Sequence, residues 1–228
     1  MSEMNNNELI EKIGYCVARG KVNSSSPYPK DMIGQEGTDE LTKKALDASC
    51  APELILQACN DGMQIIGAKF GRGEAFVPEL LMSAKAMNAV MAHLKPFFKS
   101  GAVKAKGKFV LGTVMGDLHD IGKNLVSMVV EGNGWEVIDL GVDVKTPKFI
   151  EKIKDNPGCI VGLSALLTTT MTNMSKTVEE IKAQFPGTKI IVGGAPLSTE
   201  TAMKMGADGY APNPQGAVEF LNRIINAA

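Results

Sequence analysis

The chain has 228 residues, enough for one large domain or two modest ones. Its 24 basic and 25 acidic residues leave a formal charge of -1, without the basic field that draws in nucleic acid or an anionic membrane. The opening MSEMNNNELIEK lacks the basic start and apolar run of a secretory signal, and no apolar stretch approaches the length of a membrane span, so the expectation is a cytoplasmic protein with no membrane or nucleic-acid partner. Cys16, Cys50, Cys59 and Cys159 are scattered with no C-x-x-C among them, which predicts buried reduced thiols and neither a zinc site nor a disulfide framework. The thirteen methionines read as flexible core filler.

Up to about residue 100 the apolar positions keep helical spacing: Leu9, Ile10, Ile13 and Val17 first, then Leu54, Ile55, Ala58, Ile65 and Ile66. The stretch 22–37, VNSSSPYPKDMIGQEG, is a loop by its prolines, glycines and serines. The second helix is expected to begin near Thr38, with that hydroxyl capping its first amides. A long helix is expected from about Pro78 to Phe98, its proline in the first turn where a missing N–H costs nothing. The first part, 1–100, is therefore expected to be a four-helix bundle. From 101 to 228 the rhythm changes to short runs apolar on both faces, KFVLGTV, WEVIDLG, CIVGLSA, KIIVGG and the weaker ADGYA, with helices expected at 122–132, 146–155, 170–185, 198–205 and 214–226. That alternation predicts an α/β domain with a doubly wound, five-stranded parallel sheet, Rossmann-like or flavodoxin-like. Ligands of such sheets bind at the carboxyl ends of the strands, which singles out the loops after strands one, three and four.

The first of these loops reads Met115-Gly116-Asp117-Leu118-His119-Asp120-Ile121-Gly122-Lys123-Asn124 and holds one of only two histidines. An imidazole can bind a metal through one nitrogen while the other donates to a carboxylate, and Asp117 is placed to be that partner. Alone, the pattern fits equally well a solvated or capping histidine beside helix-capping aspartates. One histidine cannot close a protein-ligated zinc site, so a metal here would bring most of its own coordination. The second loop carries Ser164, Leu166, Thr168 and Thr170, the third Gly193 and Gly194: hydroxyls to bond a ligand, glycines to admit it.

Taken together, the three loops resemble those of the methylcobalamin-binding proteins, including the corrinoid region of cobalamin-dependent methionine synthase. Their signature is D-x-H-x-x-G, then S-x-L, then G-G. Here forty-one residues separate Gly122 from Ser164 and twenty-six separate Leu166 from Gly193. In the helical part, the run from Phe70 to Leu80, followed by SAKAM and KPF, resembles the cap over the methyl face of the cobalt in the same family. The resemblance implies that Phe70, Val77 and Leu80 roof the methyl group. It implies a cobalamin or related corrinoid whose benzimidazole tail leaves the cobalt and enters the α/β domain, with His119 as the metal ligand in its place. Asp117 and Thr170 then continue a relay from the imidazole, and Ser164, Leu166, Gly122, Gly193 and Gly194 line or make room for the tail. Thr170 stands where the family often has Ser. Gly116, Leu118, Asp120, Ile121 and Thr168 complete the expected binding loops.

Since cap and cobalamin domain fill the 228 residues, the resemblance points to a non-catalytic corrinoid subunit of a multi-component methyltransferase. Such a carrier takes a methyl group on Co(I) from a substrate-specific methyltransferase and passes it to an acceptor methyltransferase for a thiol or tetrahydrofolate-type acceptor. A reductive activase rescues oxidised cobalt. The alternative is a cobalamin-binding sensor, disfavoured because the chain is not basic. His93, in MAHLKPF, reads as structural or exposed, and Lys104, Lys106 and Lys108 as a solvated linker. A hinge is expected at residues 99 to 107.

Overall fold

The computed structural model describes residues 5–99 and 105–226. The chain divides into two compact units, Met1–Ala105 with Glu131–Gly134 and Lys106–Val130 with Trp135–Ala228. The expected hinge at 99–107 falls mostly on residues 100–104, outside the described residues.

The helical unit contains α1 (Asn6–Arg19), α2 (Thr38–Asp47), α3 (Pro52–Gly71) and α4 (Val77–Lys99). Asn5 caps α1 by accepting from the Glu8 amide at 2.9 Å while Glu8 accepts from the Asn5 amide, and Gly20 ends it in the left-handed conformation at φ 70°. Helices α1 and α3 approach through glycines. A Cβ on Gly14 would lie 2.7 Å from the Ala58 carbonyl oxygen, and one on Gly62 would lie 2.4 Å from that of Gly14. Cys16, Cys50, Cys59 and Cys159 are all buried and free, as expected, and burial raises the Cys16 thiol to about 11.

Helix α2 departs from expectation at its cap. Thr38 lies inside the helix, its hydroxyl donating to the Ala86 carbonyl at 2.8 Å with that of Val22 farther off at 3.3 Å, and Gly37 is the N-cap. Glu40 reaches back instead, accepting from the Gly37 amide at 3.0 Å and from the amide and hydroxyl of Ser24, both at 2.8 Å. The carboxylate thereby ties the 22–37 loop to the helix it precedes. A glycine cap has no side chain to offer, so the third helical residue supplies the bond.

The α/β unit follows the expected order: β1 (Lys108–Thr113), α5 (Ile121–Gly132), β2 (Glu136–Asp139), α6 (Thr146–Asp155), β3 (Ile160–Ser164), α7 (Met171–Gln184), β4 (Ile190–Gly193), α8 (Thr199–Lys204), β5 (Gly209–Ala211) and α9 (Pro214–Asn226). All pairings are parallel, and the strand order is β2-β1-β3-β4-β5. The order therefore switches direction beside β1, where such sheets open a ligand crevice. One face packs Val110, Val161, Leu163 and Val192 against Phe149 of α6 and Met174, Val178 and Ile181 of α7. Register aligns the carboxyl ends: Thr113 pairs with Ser164, Ser164 with Gly193, and Gly193 with Ala211. Four loops thus leave the sheet at one level. Among the described residues no helix is long and apolar enough to cross a membrane.

Burial alone would raise the Glu40 pKa, but its hydrogen bonds from Ser24 and Gly37 outweigh that and hold it down at about 2. A carboxyl depressed on folding stabilises above its ordinary pKa of 4.5, and that stabilisation is lost as pH falls toward about 2. Glu40→Ala is expected to cost about 1–2 kcal/mol near neutral pH. Glu40→Gln should flatten the acid limb of a pH series of chemical denaturation curves.

Candidate functional site

At the carboxyl end of β1 the chain turns through Gly116, at φ 84°, into the segment bearing Asp117 and His119. Asp117 is wholly buried, whereas the His119 side chain is half exposed. The Asp117 Oδ1 faces Nδ1 of His119 at 2.7 Å and accepts from the His119 amide at 3.1 Å. Its Oδ2 accepts from the Leu166 amide at 2.7 Å, the Leu167 amide at 3.2 Å and the Thr170 hydroxyl at 2.8 Å. That hydroxyl also lies 2.8 Å from the Leu167 carbonyl. It has one proton for two acceptors, and the charged carboxylate is the stronger.

Burial pushes the Asp117 carboxyl up. The Leu166 amide, the ring and amide of His119 and the Thr170 hydroxyl more than reverse this, and the group sits well below the usual carboxylate range. Asp117 is therefore an ionised acceptor, so Nδ1 of His119 is the ring nitrogen that donates to it, and in the neutral ring the lone pair is on Nε2. A half-exposed imidazole with a fixed tautomer is what a single protein ligand to an otherwise preassembled metal complex requires. Among the described residues no cluster of three or more His, Cys, Asp or Glu could hold a bare ion.

Behind His119, within the sheet unit, lies a cavity of about 590 Å³. Its walls include Leu118, His119, Asp120, Ile121 and Gly122 of the first loop, Ser164 and Leu166 of the second, and Gly193 and Gly194 of the third. The structure thus brings these expected residues together around one space. Its floor is apolar, formed by Phe109, Leu111, Val126 and Ile191, and Tyr210 and Asn213 close it from β5 and the loop beyond. Leu118 and Ile121, at 72% and 76% exposure, form an apolar rim. A Cβ on Gly122 would meet nothing within 4 Å, so that position opens onto free space. An apolar pocket beside one half-exposed imidazole fits the aromatic base of a corrinoid's nucleotide tail.

Not every expected residue lies in that wall. Gly116 and Thr170 act on the turn and on Asp117, and Thr168 has an exposed side chain outside both the cavity wall and the Asp117 bonds, its carbonyl accepting from Met171. Gly194 is glycine for a reason other than room for a ligand: at φ 136°, its Cβ would fall 1.8 Å from the Ala165 carbonyl oxygen. Phe70, Val77 and Leu80 lie in the helical unit, where Leu80 is buried, Phe70 half-buried and Val77 36% exposed. His93 pairs with Asp39 at 2.7 Å, the structural role expected of it.

Several contributors were not foreseen. The Thr113 hydroxyl donates to the His119 carbonyl at 2.9 Å, Asn173 donates to the Met115 carbonyl at 2.8 Å, and Asp143 accepts from the Gly116 amide at 2.7 Å. Lys123, only 2% exposed along its side chain, pairs with Asp139. Asp143 could have been found by inspecting the loop after strand two as well, since it ends at the same edge of the sheet.

Comparison with known proteins identifies the family. Residues 107–219 match a B12 binding domain model, and residues 34–95 match a second B12 binding domain model. The chain is 36% identical over 225 residues to the dimethylamine corrinoid protein of Methanosarcina barkeri, covering 97% of this chain and 100% of that one. It is 40% identical over 192 residues to a corrinoid protein of Desulfitobacterium hafniense strain Y51, covering 82% and 89%. Among solved structures, the methanol:cobalamin methyltransferase complex of Methanosarcina barkeri matches with a TM-score of 0.79 at 26% identity, covering 98% of this chain and 82% of that chain. A cobalamin-binding protein of Desulfitobacterium hafniense DCB-2 matches at 0.72 with 31% identity, covering 94% and 97%.

The two glycines at the cavity separate room from strain. Gly194→Ala should lower stability by at least about 2 kcal/mol, read as a drop in melting temperature. Gly122→Ala should leave the melting temperature of the cofactor-free protein nearly unchanged and weaken cobalamin binding, read by titration.

Proposed function

This chain belongs to the corrinoid-protein family built on the B12 binding domain and binds a cobalamin-type cofactor, and from that premise we propose that it is a methyl carrier serving separate methyltransferases. The observation that carries the reading is the continuous bond path from the Thr170 hydroxyl through the buried Asp117 carboxylate to Nδ1 of a half-exposed His119 at the mouth of an apolar cavity. When bound, the corrin supplies the cobalt that takes up and releases the methyl group.

The residues of this chain hold and tune. Nε2 of His119 would hold the metal, and Asp117 keeps the imidazole in the one tautomer that can serve. Thr170 and the Leu166 amide keep Asp117 ionised, so its negative charge raises the donor strength of the ring. The cavity bounded by Ser164, Leu166, Gly193 and Phe109 receives the nucleotide tail. Leu118 and Ile121 offer apolar surface beside the ligand. In the helical unit, Phe70 and Val77 would be the residues available to cover the methyl group and exclude water from it, with Leu80 buried in the same helix as Val77.

The methyl donor is recognised by a substrate-specific methyltransferase, and a second methyltransferase delivers the group to a thiol or tetrahydrofolate-type acceptor. A reductive activase, drawing an electron from a separate reductant, would be the third partner. Support comes from relatives that are dimethylamine corrinoid proteins and from the likeness to a methanol:cobalamin methyltransferase complex. The test is reconstitution with cobalamin, reduction, and exposure to methylamine or methanol donors with their methyltransferases. The expected result is a methyl-cobalt absorption spectrum with at least one pair; its absence with all of them overturns the carrier reading. His119→Gly should abolish the spectroscopic signature of imidazole ligation, and an unchanged spectrum overturns the ligand assignment.

A further inference from the structure

We infer that Asp143, on the loop after β2, is a positioning residue for the turn that presents His119. Its carboxylate Oδ1 accepts from the Gly116 amide at 2.7 Å, and its own amide donates to the Asp117 carbonyl at 3.0 Å. One residue thus holds both ends of the Gly116–Asp117 unit, the two positions through which the chain enters the ligand segment. Neither bond serves the strand from which Asp143 comes.

Asp143 is itself anchored on both sides. Val144 is buried, pairs in parallel with Val114, and donates its amide to the Thr113 carbonyl at 2.9 Å. On the other side, the Leu140 carbonyl accepts from Lys148 and the Gly141 amide donates to Asp139. Between these anchors Asp143 takes φ 51°, a left-handed conformation rare for a residue with a side chain and least unfavourable for Asp and Asn. A residue kept in that region is held there by its surroundings, and here the two bonds to the ligand turn are what the conformation achieves.

The remaining contacts of the turn divide the work. Asn173 holds the Met115 carbonyl and Thr113 holds the His119 carbonyl, each through one bond. Among the described contacts of the turn, Asp143 both gives and takes, and so fixes the orientation of the peptide unit ahead of Asp117 as well as its place. That orientation sets where the Asp117 carboxylate meets Nδ1 of His119. The consequence for cobalt ligation rests on the proposed role of His119; the ordering of the turn does not.

Three variants separate the acceptor from the backbone. Asp143→Asn keeps an acceptor oxygen and tolerance for positive φ, Asp143→Gly keeps only the tolerance, and Asp143→Ala keeps neither. Amide hydrogen exchange on the full-length, cofactor-free protein is read at Asp117 and His119, whose N–H groups bond Val114 and Asp117 and not Asp143. Exchange there should quicken about tenfold in the Gly and Ala variants and stay near wild type in the Asn variant. The same proteins loaded with cobalamin should show a severalfold smaller imidazole-ligated fraction in the Gly and Ala variants, with the Asn variant restored. Wild-type exchange at both amides in Asp143→Gly overturns the inference, as does a Gly variant that recovers what Ala loses, because backbone conformation then accounts for the effect. If the loaded wild type and His119→Gly give the same spectrum, the ligand reading has failed, and amide exchange still decides the role of Asp143.

Discussion

The Asp117 carboxylate has no exposure to solvent, and a charge in that position persists only because donors converge on both its oxygens. Those donors come from two strand ends: the ring and amide of His119 after β1, and the Leu166 and Leu167 amides with the Thr170 hydroxyl after β3. The carboxylate is therefore a joint between loops as well as a partner for the imidazole. Removing it would leave several donors without their acceptor and leave the β1 loop tied to the β3 side only through the Val114 amide to Ser164 and the Asn173 side chain to Met115. Placement of the His119 ring and the tie between the two loops therefore depend on the same carboxylate.

Register explains why those donors can meet. With Thr113 level with Ser164, Ser164 with Gly193, and Gly193 with Ala211, the loops begin at one height, and a short side chain such as Asp117 spans from the first to the second. The cavity lies beside this joint because the face of β1 bearing Phe109 and Leu111 is not closed by a large helical side chain at Gly122. On the opposite face, Gly112 lets Phe149 come close, where a Cβ would stand 2.8 Å from the ring, and that layer is filled. Both faces of the sheet are covered, and the cavity opens on the one that bears Phe109 and Leu111.

Much of this was legible in the sequence because parallel strands buried on both sides announce themselves as apolar runs, and the three spaced motifs fall at their ends. His119, Asp117, Ser164 and Gly193 could be placed on that ground. The Leu166 and Leu167 amides could not, since backbone donors leave no mark in the side-chain alphabet. Thr38 was misjudged as a cap because Gly37 and Glu40 complete the α2 start together, a reciprocal pattern in which the cap residue itself is silent. Gly194 was legible as important, but its cause was not: the contact with Ala165 exists only once β3 and β4 are side by side.

Thr170 illustrates how a conservative departure from a family pattern is absorbed. Serine at this place would supply the same hydroxyl with one more freely turning rotamer. The added methyl group of threonine lies toward the turn, 3.6 Å from where a Cβ on Gly116 would stand, which is ordinary contact distance. The position of Gly116 is thus dictated by its φ of 84° and not by crowding from Thr170. The methyl group fills space that glycine leaves open, while β-branching narrows the choice of χ1 and directs the hydroxyl toward Asp117. Substituting a stiffer residue therefore costs no clash and leaves the end of the bond path to His119 more firmly oriented.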